Sequence, residues 1–199
     1  MAHARARDHF DAIYQGAPPW DIGRPQGEFV RLEEAGEIRG RVLDVGCGTG
    51  EISLYLASRG HEVLGFDIAP TAVARATQKA KERGVVVDLR VLDVLALGGL
   101  RTRFDTAVDS GVFHIFEDDE RPAFAENLAR VVRPGGRYFL MCFNEQEPAD
   151  WGGPRRVTQA EIRATFGDPW RVQWIREARF ETRFHESGGH AWLASITRV

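Results

Sequence analysis

The residues with the clearest chemical meaning are VLDVGCGTG, at positions 42–50, where a short apolar run leads directly into a turn with three glycines. Gly46, Gly48 and Gly50 carry no side chains, so a ligand can lie against the backbone of the turn. The apolar run predicts a buried strand, and the residues after the turn have the spacing of a helix. Together they predict a ligand shelf at the carboxyl edge of a parallel sheet.

The order of residues in this turn bears on the kind of ligand. Dinucleotide-binding turns have glycine at the first, third and sixth positions. Counting from Gly46, the sixth position is Glu51, a carboxylate where a pyrophosphate needs a close approach and no negative charge. NAD or FAD is therefore disfavoured, and a ligand with no phosphate, with an amino acid part and a positive sulfur, suits these acidic surroundings better. A dinucleotide oxidoreductase is the less favoured alternative.

Acidic residues stand at the ends of the next three predicted strands. Asp67 ends the second strand, about 20 residues after the glycine turn, where a carboxylate can accept both hydroxyls of a ribose. Asp93 ends the third strand, and its carboxylate and the amide of Val94 can read the amine and a ring nitrogen of adenine. Asp109 and Ser110 end the fourth strand, next to the amino acid part of the ligand. Because these strand ends meet at one edge of a parallel sheet, they predict a single nucleoside site.

The elements that hold these residues alternate as strand and helix from Arg41 onward, which predicts an α/β fold with a parallel sheet covered on both faces. Strands are predicted over residues 41–45, 61–67, 85–93, within 104–113, and over 137–143. Thr158 and Glu161 have the spacing of a capping box for a short helix. After that helix, apolar residues alternate as far as residue 184 and a glycine pair follows at 188–189. This pattern predicts a long hairpin whose last strand, residues 190–199, joins the sheet antiparallel.

Composition and charge limit the protein class. Lys and Arg total 26 against 29 Asp and Glu, and the basic residues are scattered, so we expect no nucleic acid partner. The chain has no apolar run of about 20 residues and no apolar stretch at its amino end, so we expect a cytoplasmic protein without a membrane span. Cys47 and Cys142 lack the spacing of metal ligands, and no metal site is expected. We expect one domain over residues 1–199, as a monomer or a homodimer, with residues 1–40 capping a core formed by residues 41–199.

A family resemblance rests on these motifs. VLDVGCGTG, combined with Asp67, Asp93 and RPGG at 133–136, resembles the class I S-adenosylmethionine-dependent methyltransferases from about Arg41 onward. The resemblance implies a Rossmann-like three-layer sandwich with a seven-stranded, mostly parallel sheet in the order 3-2-1-4-5-7-6 and strand seven antiparallel. It implies S-adenosylmethionine as cofactor and S-adenosylhomocysteine as product. The expected cofactor contacts are Tyr14, Trp20, Asp44, Gly46, Cys47, Gly48, Gly50, Asp67, Ile68, Asp93, Val94, Asp109 and Ser110.

A second resemblance concerns the acceptor. APPWDIGRPQ at residues 17–26, which we name the cover segment, and DSGVFHIF at 109–116 are similar to segments of the thiopurine S-methyltransferase and thiol or halide methyltransferase group and of relatives that methylate heterocyclic toxins. In those relatives the Trp of this segment helps to close the cofactor pocket, which implies the same role for Trp20. The resemblance favours a small-molecule thiol, or a nitrogen, oxygen or sulfur atom of a heterocycle, as acceptor. A carboxylate or ring-carbon acceptor and a non-catalytic S-adenosylmethionine-binding protein are the alternatives.

His114 is the candidate for assisting deprotonation of the acceptor, because it lies four residues beyond Ser110 and ordinarily titrates near neutral pH. Its alternative role is to shape the pocket or to bond the backbone. Trp20 and Trp151 lie in predicted loops where their rings can sandwich a flat acceptor or anchor the loops to the core. Phe113, like Phe116, is expected to line an acceptor pocket or to pack in the core.

Three further side chains have both a functional and a structural interpretation. Tyr14 belongs to the packed face of a predicted amino-terminal helix, but its hydroxyl can also reach the cofactor. Asp44, inside the first strand, is expected to accept backbone amides near the glycine turn and so to orient it. Cys47 is interpreted as a small filler within the turn, since reactivity requires a lowered pKa.

Overall fold

The computed structural model describes residues 2–150 and 152–199 of the chain, with side chains from residue 6 onward. The described strands form one sheet in the order β3-β2-β1-β4-β5-β7-β6, which confirms the predicted order. The strands are β1 (Arg41–Val45), β2 (Glu62–Asp67), β3 (Asp88–Val91), β4 (Phe104–Ser110), β5 (Val132–Phe143), β6 (Trp170–Phe180) and β7 (Gly189–Arg198). The helices are α1 (Ala2–Gln15), α2 (Gly27–Glu34), α3 (Glu51–Ser58), α4 (Pro70–Arg83), α5 (Arg121–Val131) and α6 (Gln159–Thr165).

The sheet is parallel except at one strand. β1 pairs in parallel with β2 and β4, and β3 and β5 continue the parallel arrangement on either side. β7 runs antiparallel between β5 and β6, as the hairpin pattern predicted. Parallel connections return each chain segment through a helix, so the carboxyl ends of β1 to β4 open onto the same edge.

The two faces of the sheet are covered by separate apolar clusters, which gives three layers. One cluster packs aromatic residues of α5 and α6 against the sheet, among them Phe124 and Phe166. The other packs α2 and α3 against the opposite face through residues such as Phe29 and Leu56. Burial of these large side chains supplies the main stabilising free energy of the fold.

Helix boundaries follow the sequence signals closely. α4 has Pro70 in its first turn and ends at Gly84, whose φ is 65°, as predicted. The capping box of Thr158 and Glu161 is formed at the start of α6. Within residues 2–150 and 152–199, no helix has both the length and the apolarity needed to cross a membrane.

Three boundaries differ from the predictions. β3 covers only Asp88–Val91 instead of residues 85–93, because Val86 is fully exposed beside the strand and Asp93 already caps a short 3-10 helix. RPGG lies within β5 as a bulge, since the pairing to β4 passes from Val132 directly to Arg137. β6 ends at Phe180, so the alternation beyond it belongs to a loop.

Candidate active site

The glycine turn joins β1 to α3 and lies against the end of β2. Gly46 and Gly48 have φ values of 65° and 54°, in the left-handed region that glycine adopts without a steric penalty. The amide of Cys47 donates to the carbonyl of Phe66 in β2 at 2.8 Å, and the amide of Gly48 donates to Oδ2 of Asp67 at 2.9 Å. The turn and the end of β2 therefore form one hydrogen-bonded unit.

Asp67 is almost completely buried beneath this turn. Its Oδ1 accepts the amide of Ala69 at 2.9 Å, while Oδ2 accepts the amide of Gly48. Burial raises the pKa of Asp67 to about 6, and the hydrogen bonds from the Ala69 and Gly48 amides limit the increase. An ionised carboxylate offers about four acceptor positions. The amides of Gly48 and Ala69 occupy two of these positions. The positions that remain suit the hydroxyls of a ribose, so the residues present fit a nucleoside cofactor.

The adenine side of the predicted site follows β2 and β3. Ile68 is half-buried directly after Asp67. Oδ1 of Asp93 accepts the amide of Leu95 at 2.9 Å and caps the 3-10 helix Val94–Gly99. This cap places Val94, which is mostly buried, at the start of the helix beside the carboxyl end of β3. The predicted ribose and adenine residues thus come together at one edge of the sheet.

Tyr14 and Trp20 close over the glycine turn from the amino-terminal side. The indole Nε1 of Trp20 donates to the hydroxyl of Tyr14 at 3.0 Å. A Cβ atom placed on Gly48 would lie only 2.8 Å from that hydroxyl, so glycine allows Tyr14 to approach the turn. Burial raises the pKa of Tyr14 far above its ordinary value, so the phenol stays protonated. The sequence predicted both side chains for this site, and the structure places them here.

Glu51 does not present its charge to the shelf. Its carboxylate accepts from Lys79 Nζ at 2.7 Å and from Arg83 Nη1 and Nη2 at 2.7 and 2.9 Å. Burial raises the pKa of Glu51, but the bonds from Arg83 and Lys79 outweigh burial and hold it below its usual value. The charge repulsion assumed in the sequence analysis is therefore compensated by two cations. A dinucleotide is then disfavoured only because the sixth position of the turn, counted from Gly46, is Glu51 and not glycine.

Asp44 and Cys47 stabilise the turn from within. The hydroxyl of Ser53, in α3, donates to Oδ2 of Asp44 at 2.6 Å. Burial raises the pKa of Asp44 to about 7. The Ser53 hydroxyl and backbone amide both bond Asp44 and limit this increase, so Asp44 accepts an amide near the turn, as predicted, at the start of the helix that follows it. Burial also raises the pKa of the Cys47 thiol well above its ordinary value, which suits a small filler.

Asp109 is fully buried and its carboxylate is used within the protein. It accepts the amides of Val112 and Phe113 at 2.7 and 3.1 Å and the hydroxyl of Tyr138 at 2.7 Å. Burial raises the pKa of Asp109 to about 7, against the effect of the Tyr138 bond. These bonds fix the chain that follows β4. Of the two predicted contacts at the end of β4, Asp109 is thus buried and bonded within the protein, and Ser110 is partly exposed.

His114 is buried in a cluster of aromatic rings. Its Nδ1 accepts the amide of Phe143 at 3.1 Å, and its ring stacks on Phe143 and Phe180 at centroid distances of 5.2 and 5.9 Å. Burial, with the charges of Arg156 and Arg121, lowers the pKa of His114 to about 3. The geometry corresponds to the backbone-bonding alternative of the sequence analysis.

Phe113 and Phe116 do not line the site. Phe113 has no exposed surface and contacts Phe124 and Phe166 on the α5 and α6 side of the sheet. Phe116 contacts Phe124 in the same cluster. The expectation of an acceptor-lining Phe113 is therefore corrected to core packing, because the chain after β4 turns these rings inward. Trp151 lies outside the described residues.

Two aromatic residues at the site were not identified from the sequence. Phe180, at the end of β6, and Phe143, at the end of β5, have ring centroids 4.9 Å apart. A Cβ atom on Gly111 would lie 3.0 Å from Cζ of Phe180, so these rings, which are buried, pack directly beyond the end of β4; together with His114 we name them the aromatic wall. The period-two pattern identified Phe180 as a strand residue. Only the strand order brings it next to β4.

The cover segment is attached to the loop after β6, residues 181–188. The side chain of Gln26 donates to the carbonyl of Glu181 at 2.8 Å and accepts the amide of Glu181 at 2.9 Å. The amide of Arg183 donates to the carbonyl of Pro19 at 2.9 Å. The sequence predicted a loop over residues 17–26 and a strand alternation as far as residue 184, whereas the structure shows a loop after Phe180 that is hydrogen-bonded to the cover segment.

Similarity to known proteins agrees with this geometry. Residues 42–136 match a family model described as a methyltransferase domain. The chain is 38% identical over 183 residues to the 2-heptyl-1-hydroxyquinolin-4(1H)-one methyltransferase of Mycobacteroides abscessus, covering 87% of this chain and 81% of that protein. It is 33% identical over 144 residues to a probable thiol methyltransferase 2 of Arabidopsis thaliana, covering 70% of this chain and 62% of that protein.

Among solved structures, one from work on the conversion of a disulfide bond into a thioacetal group during echinomycin biosynthesis superposes with a TM-score of 0.89. It shares 36% identity, and the match covers 96% of this chain and 92% of that chain. Other structures with this fold hold S-adenosylmethionine or S-adenosylhomocysteine.

Fold, strand-end site and relatives together define a Rossmann-like methyltransferase. The chain belongs to the class I S-adenosylmethionine-dependent methyltransferases. The predicted cofactor and enzyme class are thereby confirmed, and so is a small-molecule methyltransferase as the general activity.

Proposed function

We propose that this enzyme transfers the methyl group of S-adenosylmethionine to an oxygen, nitrogen or sulfur nucleophile of a small flat heterocycle, or to a small thiol. The observation that carries the proposal is the aromatic wall of His114, Phe143 and Phe180 beside Gly111. Flat rings pack favourably against aromatic side chains, and a flat acceptor placed at the edge of this buried wall would lie beside the cofactor shelf. A relative that methylates a hydroxyquinolone and a probable thiol methyltransferase support the same acceptor classes.

The chain's own contribution to the reaction is mainly orientation. When bound, S-adenosylmethionine supplies an electrophilic methyl group on a positive sulfur. Asp67 would hold the ribose of the cofactor and the glycine turn its methionine part, and the aromatic wall would hold the acceptor. Alignment of this kind can supply several of the ~7–11 kcal/mol available from proximity and orientation. His114 positions the backbone of Phe143 in this proposal, and the acceptor arrives ionised or loses its proton outside the wall.

The proposal predicts a particular preference among acceptors. An N-hydroxyquinolone or an aromatic thiol should react faster than an aliphatic alcohol of similar size, because it is both flat and more acidic. The test is a panel of hydroxyquinolones, aromatic thiols, aliphatic thiols, aliphatic alcohols and carboxylates with methyl-labelled cofactor, followed by mass spectrometry and NMR to locate the methyl group. Transfer to carboxylates alone, or cofactor binding without transfer to any member of the panel, would refute it.

A further inference from the structure

Lys79, on α4, lies where the glycine turn and the cover segment meet. Its Nζ donates to Oγ1 of Thr49, in the turn, and to Oε1 of Glu51, both at 2.7 Å. The same Nζ lies 3.8 Å from Oδ1 of Asp21, in the cover segment. Lys79 is thus in contact with the turn that forms the cofactor shelf and with the segment that closes over it.

The cover segment adds a carboxylate, Asp21, to a cluster in which two cations, Lys79 and Arg83, bond one carboxylate, Glu51. Arg83 contacts both oxygens of Glu51, so the Glu51 charge is already matched by Arg83. Lys79 then brings a second positive charge, and Asp21 brings the second negative one. The side chains of Lys79 and Asp21 are only 24% and 18% exposed. A charge pair with so little solvent contact is screened less than one on an open surface.

The contacts around Lys79 continue into a closed path. Trp20 is the chain neighbour of Asp21 and donates to the hydroxyl of Tyr14. That hydroxyl lies against Gly48, next to Thr49. The path that leaves the turn at Gly48 through Tyr14 and the cover segment therefore returns to the turn at Thr49 through Lys79. A change in the turn can therefore reach the cover segment through two contacts, that of Tyr14 with Trp20 and that of Lys79 with Asp21.

We propose that Lys79 is a positioning residue that couples cofactor binding to docking of the cover segment, through its simultaneous contacts with Thr49 and Asp21. A cofactor that orders the turn fixes Thr49 and Lys79, and the fixed ammonium group favours the docked position of Asp21. By linkage, docking of the cover segment favours cofactor binding to the same extent. The coupling concerns the cofactor and does not depend on which acceptor the enzyme uses.

The test compares the Lys79→Met and Asp21→Asn variants, their double variant and a Lys81→Met control. Lys81 lies on the same helix, is exposed and lies two residues away. S-adenosylhomocysteine affinity is measured by calorimetry, and amide hydrogen exchange reports on residues 17–26 with and without this ligand. The Asp21→Asn variant alters only the cover segment, so it tests the coupling even if Lys79→Met folds poorly.

In the wild type and in Lys81→Met, the ligand should slow exchange in residues 17–26. Lys79→Met and Asp21→Asn should each bind it about tenfold more weakly, within the usual range of coupling between sites, and should lose most of the added protection. The double variant should be no worse than the worse single variant, since both changes remove one coupling. Losses that multiply in the double variant, or weaker binding with unchanged protection, would overturn the proposal. A wild type that binds no S-adenosylhomocysteine would overturn both this coupling and the proposed function.

Discussion

The Nδ1 atom of His114 accepts a hydrogen bond from the backbone amide of Phe143 at 3.1 Å, and the two rings stack with centroids 5.2 Å apart. An imidazole that uses its lone pair in this way holds the end of β5 in position. The lone pair is also the group that a general base would need. While Nδ1 of His114 accepts the Phe143 amide, it is not available to take a proton from the acceptor.

His114→Asn should leave the chemistry largely intact, because the Asn amide oxygen can still accept the Phe143 amide but cannot take up a proton. Loss of a general base typically costs ~10²–10⁴ in rate. We expect single-turnover rates to fall by less than about tenfold, and equally for an ionised and a poorly acidic acceptor. Rapid-quench measurements on both acceptors check this. A loss confined to the poorly acidic acceptor would instead identify His114 as the base.

The same substitution should change how stability depends on pH. The pKa of His114 is lowered from 6.5 to about 3, chiefly by burial. Between these pH values the unfolded chain binds one more proton than the native one, so His114 favours folding above pH 6.5 and this advantage declines as the pH falls. The slope is about 1.4 kcal/mol per pH unit for one proton.

The asparagine side chain of His114→Asn does not titrate in this range. As the pH is lowered from 6.5 to 5, the free energy of unfolding of this variant should therefore decrease less than that of the wild type. Asp44, Asp67 and Asp109 have raised pKa values and act in the opposite direction. They are common to both proteins and cancel in the comparison. Urea unfolding at several pH values measures the difference. Parallel curves for the two proteins would show that His114 titrates normally.

Cofactor affinity should decrease in acid through Asp67. Its pKa lies at about 6 because of burial, and in the proposed binding mode the ribose hydroxyls donate to the ionised carboxylate. Below that pH, the dissociation constant of S-adenosylhomocysteine should rise about tenfold per pH unit, as expected for one titrating group. Calorimetry from pH 8 to pH 5 checks this. Asp67→Asn is the control, and should bind weakly with little pH dependence; an unchanged slope in that variant would assign the titration elsewhere.

Gly48→Ala should weaken both folding and cofactor binding. The new Cβ would lie 2.8 Å from the Tyr14 hydroxyl. The substitution would also force alanine to adopt a φ of 54°, which glycine adopts without a steric penalty. Gly36→Ala is the matched control, because Gly36 has φ 69° but nothing within 4 Å of its Cβ position. The control should lose only the backbone penalty of ~1–2 kcal/mol.

Adding Tyr14→Phe to Gly48→Ala should restore part of the stability, since it removes the atom that clashes. Urea unfolding and S-adenosylhomocysteine titration of the three variants provide the measurements. Equal losses for Gly36→Ala and Gly48→Ala, with no recovery in the double variant, would mean that Tyr14 does not press on the turn.

The sequence by itself determined the order of elements, the glycine turn and the acidic strand ends. Local signals are sufficient there: Pro70 and Gly84 delimit α4, and Asp67 and Asp93 follow directly after apolar runs. Because parallel strands place their carboxyl ends at one edge, strand order alone brings these residues together. The same residues carry the family resemblance that implied the cofactor class.

Only the tertiary structure decided which side chains have other partners. The compensation of Glu51 by Lys79 and Arg83, and the inward packing of Phe113, depend on contacts between residues far apart in the chain. The wall that Phe180 forms beside Gly111 likewise depends on the β5-β7-β6 arrangement. Periodicity in the sequence indicates that a side chain is buried. Only the packing of the elements determines which residues it contacts. For that reason the sequence could indicate which residues gather at the carboxyl edge of the sheet, but not which aromatic side chains pack beside them.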